Sequence, residues 1–293
     1  MTVNRPLEGV FVPVTTPFLD DEEINEKAFV DQLEWVAAQG AHGVVVGGST
    51  GEGYAIDDDE FATLVALATR TVGARLPVVA SIIADSTRGA IRRAARIAGE
   101  NLAALQIAPP HYIFSPSEEG FIEFYRKLAD TSPLPIIIYN VISWARISPL
   151  LAREVMNAVP SVIAIKQSGT DFQVYADLVR QVGAERIFAA NDGALMSCYD
   201  LGAAGSIAAI AAAAPKANVR LWNAVKGGQR REAAAWHDKL LDLWSALSGT
   251  NLPARVKAAQ SLQGIATGIP RGPMIPVTDA ERMRISEALS RLH

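Results

Sequence analysis

Lys166 closes the apolar run Val162-Ile163-Ala164-Ile165, which is bounded by Pro160 and by Ser168-Gly169. Such a run reads as a buried strand, and a lysine is almost never fully buried without a partner. An ammonium in that place must be neutralised, paired or used. Desolvation favours the neutral amine, and a neutral amine is a nucleophile that can form a Schiff base with a carbonyl. The plainer alternative is a strand-end lysine whose head reaches water along its own stem. On this segment alone both readings stand.

Tyr139 ends the preceding apolar run, Pro135–Tyr139. A phenol beside an imine-forming amine can move protons during addition and loss of water, as general acid or base; otherwise its ring packs and its hydroxyl meets solvent. The turn Gly47–Gly53 (Gly-Gly-Ser-Thr-Gly-Glu-Gly) offers backbone N–H groups at Gly48 and its neighbours, and two hydroxyls at Ser49 and Thr50. These donors suit a carboxylate or a phosphate. The spacing matches neither a P-loop nor a dinucleotide fingerprint, and the glycines could merely shape the turn.

What positions these groups is an alternation of apolar runs and amphipathic segments. Strands are expected at Gly9–Phe18, Val44–Val46, Pro77–Ala84, Leu102–Ala108, Pro135–Tyr139, the Lys166 run, Arg186–Ala190 and Ser206–Ile210. Helices are expected at Asn25–Gln39, Asp57–Val72, Ser86–Gly99, Ser117–Ala129, Ser148–Ala158, Asp171–Val182 and Ala194–Leu201, the last of the eight starting near Pro215. Asp57 with Glu60 makes a capping box, and Ser148-Pro149 pairs a cap with a first-turn proline. Runs that are apolar throughout are covered on both faces, as in parallel sheets. Eight such units predict a (β/α)8 TIM barrel over residues 1–225, with a doubly wound open sheet as the alternative. Residues 226–293, including Arg230–Leu247 and Ala280–Leu292, read as a C-terminal helical extension packed on the barrel.

In a barrel the chemistry gathers where the strands end. Those ends read Thr15-Thr16, Gly47–Gly53, Ala108-Pro109-Pro110-His111-Tyr112, Tyr139-Asn140, Lys166 and Asn191-Asp192-Gly193. No ring of His, Asp and Glu suits a metal, and neither metal nor cofactor is expected. His42, His237 and His293 show no ligand spacing, and His42 and His237 read as structural; His111 stands at a strand end and could touch substrate. Cys198, the one cysteine, reads as a small buried hydrophobe.

Composition narrows the partners. The chain of 293 residues is 49% hydrophobic with a net charge of −4. No basic run suggests nucleic acid or an anionic membrane. The start, MTVNRPLEGVFVPV, lacks the marks of a signal peptide, and no window is long and apolar enough for a membrane span. A lone cysteine suits a reducing compartment, so a cytoplasmic protein is expected.

The ordered set Gly48-Ser49-Thr50-Gly51-Glu52, Tyr139-Asn140 and Ile165-Lys166-Gln167-Ser168-Gly169 resembles the dihydrodipicolinate synthase/N-acetylneuraminate lyase family of pyruvate-dependent class I aldolases. The resemblance runs from about Gly9 to Pro215. It implies that Lys166 forms an imine with a 2-oxo acid such as pyruvate or a 2-keto-3-deoxy sugar acid, and that Tyr139 shuttles protons. It also implies that Ser49, Thr50 and the Gly48 turn hold the carboxylate, and that Asn191-Asp192-Gly193 and Ser206-Ile207, at the ends of strands seven and eight, shape the imine pocket. Tyr112 is similar in place to a tyrosine that joins the relay from a neighbouring subunit, although the loop 113–116 is slightly long; a homo-oligomer, dimer or tetramer, follows if the role holds.

The chain departs from the synthase branch after Tyr139-Asn140. Synthases continue with Val-Pro-x-Arg, whose arginine grips the aldehyde substrate's carboxylate; here Val141-Ile142-Ser143-Trp144 puts an indole in its place, with Arg146 two residues on. Indole offers one N–H and an apolar face, not a bidentate fork. A lyase, aldolase or dehydratase, other than the lysine-pathway condensing enzyme is therefore expected, with a compensated synthase as the alternative. Two further classes compete: a non-catalytic small-molecule-binding barrel, and a barrel holding a phosphate-bearing cofactor such as a flavin. The turn Ile210–Pro215 lacks the glycines that phosphate loops favour.

Overall fold

The computed structural model describes residues 7–292. Residues 1–6, part of the segment read as leaderless, and His293 lie outside that range.

Each of the eight apolar runs forms a strand: β1 Gly9–Pro13, β2 Gly43–Val46, β3 Val78–Ile82, β4 Ala104–Ile107, β5 Ile136–Asn140, β6 Val162–Gln167, β7 Ile187–Ala189 and β8 Gly205–Ser206. All neighbours pair in parallel, and β8 returns to β1 through Gly9↔Gly205 and Val10↔Ser206, so the sheet closes into a barrel. Helices α1 Glu26–Ala38, α2 Asp58–Val72, α3 Thr87–Arg96, α4 Glu118–Thr131, α5 Pro149–Ala158, α6 Phe172–Val182 and α7 Leu195–Asp200 follow the first seven strands. Then come α8 Ala209–Ala213, α9 Pro215–Lys226, α10 Arg230–Leu247, α11 Leu252–Leu262 and α12 Asp279–Ser290. This is a (β/α)8 barrel followed by further helices. Among the described residues no helix is long and apolar enough to cross a membrane.

Local chemistry accounts for most boundaries. The Asp57 side chain accepts from Asp59 and Glu60 N–H groups while Glu60 reaches back, completing the capping box. The side chains of Ser86, Ser117, Ser148 and Asp171 accept first-turn N–H groups and cap α3, α4, α5 and α6 without the reciprocal bond. Two expectations need correcting. The first strand stops at Pro13 instead of reaching Phe18: after the Val14 N–H meets the Val45 carbonyl, the Thr15 N–H turns to the Gln32 side chain at 2.8 Å, and Pro17 has no N–H to offer. The last strand is only Gly205–Ser206, and part of the stretch expected as its continuation is helix α8. Its run Ala-Ile-Ala-Ala-Ala is rich in the strongest helix former, and the Asp192 carboxylate accepts the Ile210 N–H at 2.8 Å, drawing that backbone out of the ladder.

Two cores result. Phe11, Val45, Val79, Ala104, Ile137, Ala164, Phe188 and Ile207 fill the barrel interior, while a larger set of strand and helix residues fills the sleeve between barrel and helices. The interior plug forms the floor beneath the strand ends.

Candidate active site

β5 and β6 lie side by side in register, with Tyr139 opposite Lys166. Both side chains are buried, Lys166 at 5% exposure and Tyr139 at 2%. The Lys166 ammonium nitrogen stands 4.4 Å from the centroid of the Tyr139 ring, a cation–π contact that orients the phenol against the amine. Among the described residues Lys166 makes no ion pair.

The turn after β2 supplies the other wall. Residues Ser49–Gly51 form one 3-10 turn, closed by N–H donation from Gly51 and Gly53 to the Gly48 carbonyl and from Glu52 to the Ser49 carbonyl. The Tyr139 hydroxyl donates to Ser49 Oγ at 2.9 Å and accepts the Ser49 N–H at 3.1 Å. Gly48 faces the same hydroxyl: a Cβ there would sit 3.6 Å from it. Thr50 is buried in the same turn, and Thr16 Oγ1 donates to the Gly51 carbonyl at 2.6 Å. The phenol thus bridges amine and turn, which are far apart in the chain.

Asp192, just past β7 and expected at the strand-seven end that shapes the imine pocket, is the charged neighbour of Lys166. Burial pushes its carboxyl up to about 6, against the Ile210 N–H and the Lys166 ammonium, which both favour the charged form. Its closeness to Lys166 comes from the adjacency of β6 and β7, and the only signal in the sequence was an acidic residue at a strand end.

Five further residues named from the sequence are Ile207, Tyr112, Trp144, His111 and Arg146. Ile207 is fully buried within the interior plug and hydrogen-bonds from its N–H to the Ala189 carbonyl. Tyr112 and Trp144 are each 71% exposed. The Trp144 indole N–H donates to the His111 carbonyl at 2.7 Å, joining the loops after β4 and β5. His111 itself is tied to Asp85, whose carboxylate accepts the His111 N–H at 3.0 Å and lies 3.3 Å from Nδ1. Arg146 lies against the backbone of Gly169, three residues past Lys166.

The other two described histidines stand apart from these groups. His42 Nδ1 accepts the Val10 N–H at 3.2 Å and its ring meets Trp222 edge-on; His237 is half-buried, and burial lowers its pKa. Cys198 is buried, and its thiol is pushed up to about 11. No cluster of His, Cys, Asp and Glu among the described residues could hold a metal.

A parallel barrel with a sequestered amine and phenol at adjacent strand ends has the form of a class I, Schiff-base-type lyase. Residues 6–292 match the Dihydrodipicolinate synthetase family, and the chain belongs to it. It is 33% identical over 98% of its length to a 4-hydroxy-tetrahydrodipicolinate synthase of Phenylobacterium zucineum, covering 98% of that protein. A protein of the same name from Thermomicrobium roseum is 31% identical, with 97% of this chain and 94% of the relative aligned. The crystal structure of a dihydrodipicolinate synthase from Thermotoga maritima shares the fold, with a TM-score of 0.92 at 23% identity over 98% of this chain and 99% of that one.

Proposed function

We propose that Lys166 captures a 2-oxo acid as an imine, and that the protein makes or breaks a bond beyond C3 of that acid as an aldolase or dehydratase. The observation that carries this is the buried Lys166 amine packed on Tyr139, whose hydroxyl is held by Ser49. The amine adds to the C2 carbonyl, the resulting carbinolamine loses water, and a protonated imine remains. Tyr139 is placed to give the departing hydroxide its proton and to recover one through Ser49. The Thr50 N–H and the hydroxyls of Ser49 and Thr50 receive the acid's carboxylate, the N–H groups of Ser49, Gly51, Glu52 and Gly53 being already donated within the site. The protonated imine then serves as an electron sink, so C3 becomes acidic and the next bond can form or break. Ile207 is the apolar floor under the 2-oxo acid, and residues 226–293 are an extension packed on the barrel.

The second substrate follows from the loop after β5. Trp144 offers no bidentate donor, and its one N–H is spent on the His111 carbonyl. An aldehyde bearing a carboxylate therefore finds no fork there, which favours a 2-keto-3-deoxy sugar acid or another hydroxylated or aromatic partner. A second reading has its own support: the relatives are named 4-hydroxy-tetrahydrodipicolinate synthase, and the Arg146 guanidinium lies against Gly169 near Lys166, from which it could grip an aldehyde's carboxylate.

Borohydride added with pyruvate should fix a three-carbon adduct on the peptide that carries Lys166. A label elsewhere, or none, sinks the imine reading. Turnover of pyruvate with aspartate semialdehyde, set beside cleavage of 2-keto-3-deoxy acids, then decides between the two readings. Efficient condensation that Arg146→Ala abolishes would establish the second.

A further inference from the structure

Glu52 sits directly after the Ser49–Gly51 turn and is fully buried, with a left-handed backbone at φ 55°. Only glycine adopts that region without cost, so a glutamate stays there because its surroundings hold it. Its own N–H closes the turn on the Ser49 carbonyl. What holds the side chain comes entirely from the far end of the chain. Lys257 on α11, 2% exposed, meets Glu52 Oε1 at 2.5 Å. The Arg271 N–H donates to Glu52 Oε2 at 2.9 Å.

Those two holders are themselves fastened. Lys257 donates to the Ile269 carbonyl at 2.6 Å and stands over the Phe18 ring. The Arg271 guanidinium forks onto Glu60 at 2.6 and 2.8 Å, donates to the Ala55 carbonyl at 2.8 Å and covers the same Phe18 ring. Burial pushes the Lys257 ammonium down, and Glu52 opposes that. An ion pair this deep loses solvation on both partners, and apolar residues of the same size would often serve stability as well. Its distinctive effect is to fix where one residue's backbone lies.

We infer that Glu52 and Lys257 are positioning residues, through which the α11–Arg271 segment sets the geometry of the Ser49–Thr50 turn and hence the capture of the 2-oxo acid's carboxylate. This rests on the reading of that turn as the carboxylate holder. Lys166 and Tyr139 stand on other strands and touch neither residue; a disturbance of the pair moves the carboxylate's holder directly but reaches the phenol only through its two hydrogen bonds to Ser49, and Lys166 keeps its place on β6, so the saturated rate suffers less than capture. The two kinetic constants should therefore separate.

The test measures the pyruvate concentration that half-saturates borohydride trapping, together with the trapping rate at saturation. Lys257→Met, Glu52→Gln, the uncharged double variant and Lys257→Arg are compared with the native protein. In the first three, half-saturation should rise roughly ten- to a hundredfold, as a misplacement of about 1 Å produces, while the saturated rate changes far less. Lys257→Arg, which restores the charge, should recover most of the lost affinity. Native half-saturation in any folded member of the first three overturns the inference. So does failure of the double variant to fold, because the pair would then serve the fold and not the turn. If the native protein is not trapped by pyruvate at all, the reading of the site fails first, which is a different result.

Discussion

At the scale of single residues, the site turns on one phenol that is bound twice to Ser49 and packed on Lys166. Tyr139→Phe keeps the ring and removes only the proton donor. Imine formation and turnover should fall ~10²–10⁴-fold, the usual contribution of an acid–base group. Rapid-quench trapping would measure it, and near-native rates would return Tyr139 to packing. That Lys166 and Tyr139 end neighbouring apolar runs was legible in the chain, while the packing of the phenol on the amine comes from the register of β5 on β6. Asp192 was legible only as a strand-end residue shaping the pocket; its coupling to Lys166 is a matter of distance across two strands. Its folded pKa of about 6 lies above the ordinary 3.8. A carboxyl raised in this way contributes its full stability below pH ~4 and loses it as pH rises through about 6, where the folded state must bury the charge. Asp192→Asn cannot titrate, so it should gain on the native protein between pH 4 and pH 7, by no more than about 3 kcal/mol. Urea unfolding at both ends of that window checks this, and an unchanged difference between the two proteins would refute it.

At the scale of elements, the caps and the first seven strand–helix units could be read directly, because their signals are local: Asp57 with Glu60, Ser148 before Pro149, apolar runs of strand length. The eighth unit was placed, with its helix at Pro215, but the extent of its strand was not legible. Its strand has two residues, and its identity is fixed by pairing with β1 and β7, which no local pattern announces. The decisive position is Gly205, where an added Cβ would come within 1.9 Å of the Gly9 carbonyl oxygen. That atom belongs to paired backbone and cannot yield without opening the seam between β8 and β1. Gly205→Ala should therefore cost at least the ~1–3 kcal/mol of ordinary overpacking. The measurement is the denaturant midpoint or, if the variant is insoluble, its yield in the soluble fraction. A variant as stable as the native protein would mean that the seam is looser than its register suggests.

At the scale of the whole molecule, the loop after β4 leaves an apolar run exposed to water. Tyr112, Ile113 and Phe114 are 71%, 69% and 81% exposed, and Trp144 is tied to the same loop through His111. Scattered apolar residues on a surface need no explanation, but a contiguous apolar group marks an interaction surface. Tyr112 points the same way: at 71% exposure its phenol is not held in its own chain's pocket, so a role in proton relay requires a neighbouring subunit. A symmetric pair would cover both loops with each other, each patch meeting its own copy. Phe114→Glu places a charge in that contact, and Ile113→Glu does the same one residue away. Sedimentation equilibrium should find the native protein as a dimer or a higher assembly, and the glutamate variants shifted toward monomer. If Tyr112 serves the partner's site, those monomers should still form the Lys166 imine with pyruvate but turn over slowly, and Tyr112→Phe should reproduce the slow turnover without dissociating the assembly. A native protein that sediments as a monomer with full activity would confine Tyr112 to the surface and leave Tyr139 and Ser49 to move the proton unaided.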